Sequence, residues 1–450
     1  MTPMNRTTAT IGALALAASS TLAQDLTHKA PAQDHPVFIV GATVHTISGD
    51  TIENGVVAFS AGRLTMIGDA SIMQTVRLSS NTEVIEADGM HLYPGLIASR
   101  TQLGLTEINA VRASLDHNEV GQVTPEVRAA VSVNPDSTLI PVARAGGVLT
   151  FASFPTGGRV PGRASVMRSD AWTWESMAID DAAGLVINWP SVRPSDGAFE
   201  SRSKSDRMDS IRKNLRDIDD LFNAAEAYAD ARSANAEAPV DLRYEAMLEV
   251  MPSAGADQEP VFINANDVDQ ITSAVTWCSE RELRCVIVGG RDAPLCADLL
   301  RANDVGVIIG GTHVFPKRSD ASFDDPFTLP RRLQEAGVRW CLNTADRDGN
   351  VRNLPHEAGR AVAFGLDHAD ALASITLWPA QLLGVADDLG SIERGKLATL
   401  ILTDTDVLEV TSNVTRAWID GREINMSTKQ TKLRDKYRDK YQQLGIIDED

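Results

Sequence analysis

The chain changes its hydrophobic rhythm twice. Near the start, short apolar runs alternate with turns. Phe38-Ile39-Val40 and Ala42-Thr43-Val44 flank Gly41, and a turn at Glu53-Asn54-Gly55 leads into Val56 to Phe59. A turn at Ala61-Gly62-Arg63 precedes Leu64 to Ile67, and Val84 to Gly89 closes the set. Strands this short, broken by Gly-containing turns, predict an antiparallel sheet. Further on, apolar runs at Leu96–Ala98, Gly147–Ala152, Leu185–Trp189, Val261–Asn264, Cys285–Val288, Val305–Ile309 and Val338–Leu342 read as buried strands. Between them, Met208–Ala231, Asp267–Glu282, Asp292–Asn303, Thr328–Ala336, Asn353–Phe364 and Ala369–Leu377 read as helices. Strands alternating with helices predict a parallel sheet with helical crossovers. That makes seven strands and no evident eighth, so a barrel built from them is expected to be irregular.

The helix within 202–235 is highly charged, with Ile211, Leu215, Ile218, Leu221, Phe222 and Ala225 as its apolar stripe, which predicts a covering helix. After residue 385 the strand rhythm returns at Leu400-Ile401-Leu402 and Ala417-Trp418-Ile419, followed by a polar helix from Lys429 to Tyr441.

Composition narrows the class. The 450 residues are 43% hydrophobic and 23% charged, ordinary for a folded chain, with a net charge of −19. Such an acidic balance argues against nucleic-acid binding, which needs a basic footprint. Residues 1–23 read as a secretory signal peptide: Arg6, an apolar core from Ile11 to Ala18, and small residues before Gln24. Residues 24–35 read as a flexible leader. No later stretch reaches the roughly 20 apolar residues of a membrane span, and a soluble protein exported to a bacterial periplasm is expected. Cys278, Cys285, Cys296 and Cys341 form no CxxC and read as buried free thiols. No GxSxG, P-loop or dinucleotide fingerprint is present.

Several stretches carry a family resemblance. Tyr93-Pro94-Gly95-Leu96-Ile97 followed by a polar cluster and Leu103-Gly104 resembles the first barrel strand of the amidohydrolase superfamily. Gly390-Ser391-Ile392-Glu393-Arg394-Gly395-Lys396-Leu397-Ala398-Thr399-Leu400 and Ala417-Trp418-Ile419-Asp420-Gly421-Arg422 resemble segments of its small flanking β-domain. Thr106-Glu107-Ile108, Asn134-Pro135-Asp136-Ser137, the Gly-rich loop 155–164, Asp170-Ala171-Trp172-Thr173-Trp174-Glu175 and Asp325-Pro326-Phe327-Thr328-Leu329-Pro330 resemble an exported, imidazolonepropionase-like group within it. The resemblance implies an α/β fold: a (β/α)8-type TIM barrel over 93–384 with a composite β-sandwich from 36–92 and 385–425, leaving 426–450 as a polar tail.

In that family the first strand carries His-x-His, later strands a His each and sometimes a modified Lys, and the last strand an Asp. Together these hold one or two divalent metals that activate water. Here Arg100 and Gln102 stand at the first pair. An arginine, always protonated, cannot ligate a cation. Asn264 stands at the next position, Gly289-Gly290-Arg291 ends the following strand, and Asp346 alone matches, as the proton-accepting Asp of Thr344-Ala345-Asp346. His313 is the one histidine past a barrel strand. No resident metal is expected, with a divalent ion such as zinc as the disfavoured alternative. The resemblance implies a hydrolase of carbon–nitrogen bonds other than peptide bonds, with Asp346 as base, Arg100 polarising an oxygen, and Gln102, Asn264 and His313 at the substrate. The alternative is an inactive relative that binds a small anionic ligand or partners an active paralogue. Its partner is a small molecule, and homo- or hetero-oligomers are compatible.

Overall fold

The computed structural model describes residues 25, 27–194, 203–235, 237–344 and 348–448. The leader read at 1–23 lies outside these residues. No helix among them is long and apolar enough to cross a membrane.

Five strands open the described chain: β1 (Val37–Val44), β2 (Ile52–Ser60), β3 (Arg63–Asp69), β4 (Glu83–Glu86) and β5 (His91–Pro94). β2 and β3 form a hairpin across Ala61 and Gly62, whose φ angles of 50° and 80° suit a two-residue primed turn. The turn expected at Glu53-Asn54-Gly55 is absent. These residues continue β2, opposite two register shifts in β1. A Cβ on Gly55 would sit 2.6 Å from a Val44 methyl carbon, so the bare glycine lets the strands close through the irregularity.

The barrel strands are β6 (Leu96–Thr101), β7 (Val148–Ser153), β8 (Gly162–Arg168), β9 (Ala178–Asn188), β10 (Val261–Ala265), β11 (Cys285–Gly289), β12 (Gly306–Ile309) and β13 (Trp340–Leu342), hydrogen-bonded in that order. All seven expected strands are present. The eighth is β8, which runs antiparallel to both β7 and β9. It replaces a helical crossover with a meander, and this is the irregularity of the barrel. Its sequence, GRASVMR, shows no apolar run. It is buried all the same because Arg163 forms ion pairs with Glu249 and Glu259 and Ser165 donates to the Asp181 carbonyl.

Side chains alternate across the barrel wall. Ile97, Phe262, Val286, Val288 and Ile308 pack inside, while Leu96, Val261, Ile263, Ile287 and Val307 belong to the layer outside. That outer layer includes the helix Lys204–Ala234, which buries Ile218, Phe222 and Ala225 of its stripe against Trp277.

β6 and β13 are joined through side chain and loop. Leu342 N–H donates to the Ser374 carbonyl at 3.0 Å, and Ile97 N–H to the Ile375 carbonyl at 2.9 Å. Nearer the carboxyl ends, buried Asn343 imitates a strand partner. Its Oδ1 accepts from Arg100 N–H at 3.2 Å and its Nδ2 donates to the Arg100 carbonyl at 2.7 Å.

Three last strands, β14 (Leu400–Thr403), β15 (Val414–Ile419) and β16 (Arg422–Glu423), return to the first sheet. β14 pairs antiparallel with β5, Leu400 opposite Pro94, so strands from both ends of the described chain form one continuous hydrogen-bonded path. Residues 27–35, expected as a flexible leader, lie against this body. Lys29 is buried between Asp25 and Asp170, and Gln33 accepts from Gly62 N–H.

Past the end of β1, His45 stacks on Tyr93 at 4.2 Å between ring centroids, and its Nε2 lies 3.0 Å from His91 Nδ1. Burial, with His91 and His368 adding to it and Asp406 opposing, holds the His45 pKa down to about 4. An unfolded histidine titrates near 6.5. As pH falls from about 6.5 to 4, the unfolded chain therefore gains a proton that the native chain does not, and stability declines through that window. The wild type should lose about 2–3 kcal/mol more than His45→Phe between those pH values. Denaturant unfolding at stepped pH measures it, and parallel curves for the two proteins would reject this linkage.

Candidate functional site

The carboxyl ends of the parallel strands surround a cavity of about 440 Å³, within the size range of small-molecule sites. β6 contributes Arg100, β10 Asn264 followed by Asn266, and β11 Val288 and Gly289 followed by Arg291. The loop after β12 adds Gly311, Phe315 and Lys317, and β13 is followed by Asn343 and Thr344 at the wall.

Arg100 reaches this place through a β-bulge. Ala98 pairs with Phe151 and Thr101 with Ser153, so Ser99 and Arg100 together oppose the single Ala152. Strict alternation would turn Arg100 away from the barrel axis. The extra residue re-aims it toward the mouth. Its guanidinium makes no hydrogen bond among the described residues. The depth of its setting lowers its pKa from the ordinary guanidinium value, and Asp348 opposes that.

Four ionisable side chains line the cavity. Asp325 is paired with Arg332 at 2.7 Å and Arg291 with Asp292 at 3.0 Å. That leaves Arg100 and Lys317, both cations, without a hydrogen bond or ion pair from their charged groups among the described residues. Two cations in one cavity with no ion pair among the described residues favour an anionic ligand.

Asn264 lines the cavity and donates through Nδ2 to Asn188 Oδ1 at 2.7 Å. Asn188 in turn donates to the carbonyls of Gly157 and Gly158 at 3.0 and 2.9 Å. The Gly-rich loop thus turns carbonyls toward Asn188, and it is not part of the cavity wall.

Gln102 and His313 are not in the wall either. Gln102 N–H donates to Asp348 Oδ1 at 2.7 Å, and its side-chain oxygen accepts from Thr106 at 3.5 Å. His313 N–H donates to the fully buried Glu357 at 3.2 Å, an anchor for the loop that carries Phe315 and Lys317. Asp346 lies outside the described residues.

Asp348, Lys317, Asn188 and Asn343 were not singled out from the sequence. Burial raises the Asp348 pKa, while the N–H groups of Gln102 and of Asp348 itself, then His117 and Arg100, hold it back. The only prior signal for Asp348 was its closeness in sequence to Asp346.

Among the described residues no group of three His, Cys, Asp or Glu side chains is placed to hold a metal ion. Among the described residues the groups at the strand ends are a guanidinium and carboxamides, which do not suit a divalent metal. The four cysteines are buried and free.

Comparison with known proteins bears on this geometry. The family described as "Amidohydrolase family" matches residues 264–424. An amidohydrolase, tasK, of Hapsidospora irregularis is 24% identical over 368 residues, covering 75% of this chain. The match spans only 37% of that longer relative. The imidazolonepropionase of Symbiobacterium thermophilum is 23% identical over 391 residues, covering 79% of this chain and 84% of the relative. Among solved structures, an amidohydrolase from Thermotoga maritima superposes with a TM-score of 0.74 at 24% identity, covering 86% of this chain and 99% of that one. Molinate hydrolase superposes with a TM-score of 0.54 at 17% identity, covering 89% and 96%. Identities this low carry the fold of those structures to this chain and nothing further.

Proposed function

The chain belongs to the amidohydrolase superfamily, and from that premise we propose that it hydrolyses a carbon–nitrogen bond, other than a peptide bond, in a small anionic molecule. Membership supports a hydrolase. The bond and the charge of the substrate are our reading. The observation that carries it is the pair of cations, Arg100 and Lys317, in the cavity where the barrel strands end, neither held in an ion pair among the described residues.

In this reading Lys317 holds the substrate's anionic group, and Arg100 donates hydrogen bonds to the oxygen or nitrogen of the carbonyl or amidine under attack. Water adds to that carbon, and Asp346 takes the proton that water loses. The carbon–nitrogen bond then breaks, and the departing nitrogen takes the proton back from Asp346. Arg100 supplies positive charge as a donor aimed where negative charge develops, which is the principle of an oxyanion hole. Asn264 is set by Asn188 to orient the substrate through its amide. No step is assigned to a metal, because the donor set does not fit one.

The test is a panel of small N-acyl, N-carbamoyl and cyclic-amide acids, each beside its uncharged ester, incubated with full-length, tag-free protein. Release of amine or ammonia is read by mass spectrometry, and metal content by elemental analysis. Turnover of acids over esters, with metal well below one per chain, is the expected result. Turnover of esters alone would reject the anionic substrate, and stoichiometric tight metal would reject the metal-free route. Saturable binding of acids without turnover would favour the alternative, a ligand-binding relative that has lost its chemistry.

A further inference from the structure

A second cavity, of about 420 Å³, lies away from the barrel mouth. It opens where the helix Leu139–Ala145 ends at Gly146, beside the turn Asp348–Asn353 and the start of the helix Leu354–Ala363. The segment 407–414 and the first residues of the tail helix close the other side.

Its chemistry runs against that of the whole chain. The protein carries 61 acidic and 42 basic residues, yet no carboxylate lines this cavity. Arg352 and His356 do, four residues apart across the junction of turn and helix, so both side chains serve one opening. Arg352 donates through one Nη to the Gly349 carbonyl at 2.6 Å, which steadies the side chain within its own turn. Among the described residues no carboxylate pairs with it, and the His356 ring makes no hydrogen bond. Ser412, Thr428 and Gln430 add neutral polar groups to the rim.

Gly146 makes room for this arrangement. A Cβ there would stand 2.6 Å from the Arg352 carbonyl oxygen and 2.8 Å from its Cα. The turn carrying Arg352 therefore lies directly on the helix end.

We infer that this cavity is a second small-molecule site that takes an oxyanion, a phosphate or a carboxylate, on the guanidinium of Arg352 and the imidazole of His356. A guanidinium presents parallel N–H groups to either anion and holds it by two bonds at once. A lysine at the same place would act only as a point charge. The turn also carries Asp348, whose carboxylate accepts from Gln102 N–H just past the end of β6.

Isothermal titration of the full-length protein at constant ionic strength tests this, with inorganic phosphate and succinate as separate probes. The Arg100→Met/Lys317→Met protein is titrated first, because losing both mouth cations isolates the second site. One saturable event for phosphate or succinate is expected there. Adding Arg352→Met should weaken it at least ten-fold, and adding His356→Gln several-fold. If Arg352→Met does not fold, Arg352→Lys carries the test and should weaken binding at least three-fold. Which probe binds more tightly decides between phosphate and carboxylate. The site is overturned if Arg100→Met/Lys317→Met binds neither probe, or if the Arg352 variants bind as tightly as their parent. A single event lost in Arg100→Met/Lys317→Met and kept in Arg352→Met would overturn this site and leave the mouth reading intact.

Discussion

Arg100→Met should fold as the wild type does and lose about 100- to 1,000-fold in kcat on any substrate the protein hydrolyses, the range seen when one oxyanion donor is removed. Stability and activity separate here because Arg100 contributes to them through different atoms. Its backbone N–H and carbonyl bind Asn343 and help close the barrel. Those groups survive the substitution. Its guanidinium makes no hydrogen bond among the described residues, and the side chain is exposed at the mouth. Removing the cation should therefore leave the denaturant midpoint nearly unchanged.

Arg100→Lys keeps the charge but not the fork, so it should recover only part of the lost kcat. Lys317→Met should instead raise KM more than it lowers kcat, because its charge holds a part of the substrate that does not react. Steady-state kinetics on the best acid of the panel reads all three. Wild-type kcat/KM in Arg100→Met would remove Arg100 from the chemistry.

Arg144→Met should cost about 3–5 kcal/mol of stability, as breaking a buried ion pair from one side does. Arg144 is 1% exposed and Asp170 4%. One Nη of Arg144 donates to Asp170 at 2.8 Å and to the Ser169 carbonyl at 3.1 Å, while Lys29 and Arg422 lie within 3.9 and 3.7 Å of Asp170. Asp25 completes the group, 3.9 Å from Arg144 and 3.5 Å from Lys29. Burial alone would raise the Asp25 pKa, but its hydrogen bonds to Thr27 and the charges of Lys29 and Arg144 lower it. Burial likewise lowers the Arg144 pKa, with Asp170 and Asp25 opposing.

Losing Arg144 removes the one cation that hydrogen-bonds the Asp170 carboxylate in a dry junction, leaving Lys29 and Arg422 at longer range. Arg144→Met combined with Asp170→Asn should therefore be less damaging than the sum of the two single changes, by more than about 1 kcal/mol. Unfolding midpoints of the four proteins in denaturant measure the coupling. Additive losses would show that the two residues stabilise the fold independently.

The sequence by itself determined most of the strands and helices, though not β8 or the start of β2, and much of what lies inside. Apolar runs at Leu96, Val261, Cys285 and Gly306 became barrel strands because a run of that length cannot stay in water and needs a neighbour on each side. The apolar stripe of the helix Lys204–Ala234 buried Ile218, Phe222 and Ala225 for the same reason. The motifs at Tyr93 and Gly390 pointed to the superfamily, and that Arg100 is a cation unable to ligate a metal was legible from residue identity alone.

Only the tertiary structure decided how those parts bear on one another. β8 carries no apolar run, and it becomes a strand because β7 and β9 offer it edges on both sides. Arg100 faces the mouth because Ser99 and Arg100 share one partner, Ala152, a fact of pairing that no periodicity records. Gln102 and His313 have side chains suited to substrate, but their backbone N–H groups anchor to Asp348 and Glu357 away from the cavity wall. Residue counts report 42 cations without saying which ones find a carboxylate. That is settled by which side chains the fold brings within reach, and it leaves Arg100, Lys317 and Arg352 open to a ligand because hydrogen bonds and ion pairs act over a few ångströms in space, whatever the distance along the chain.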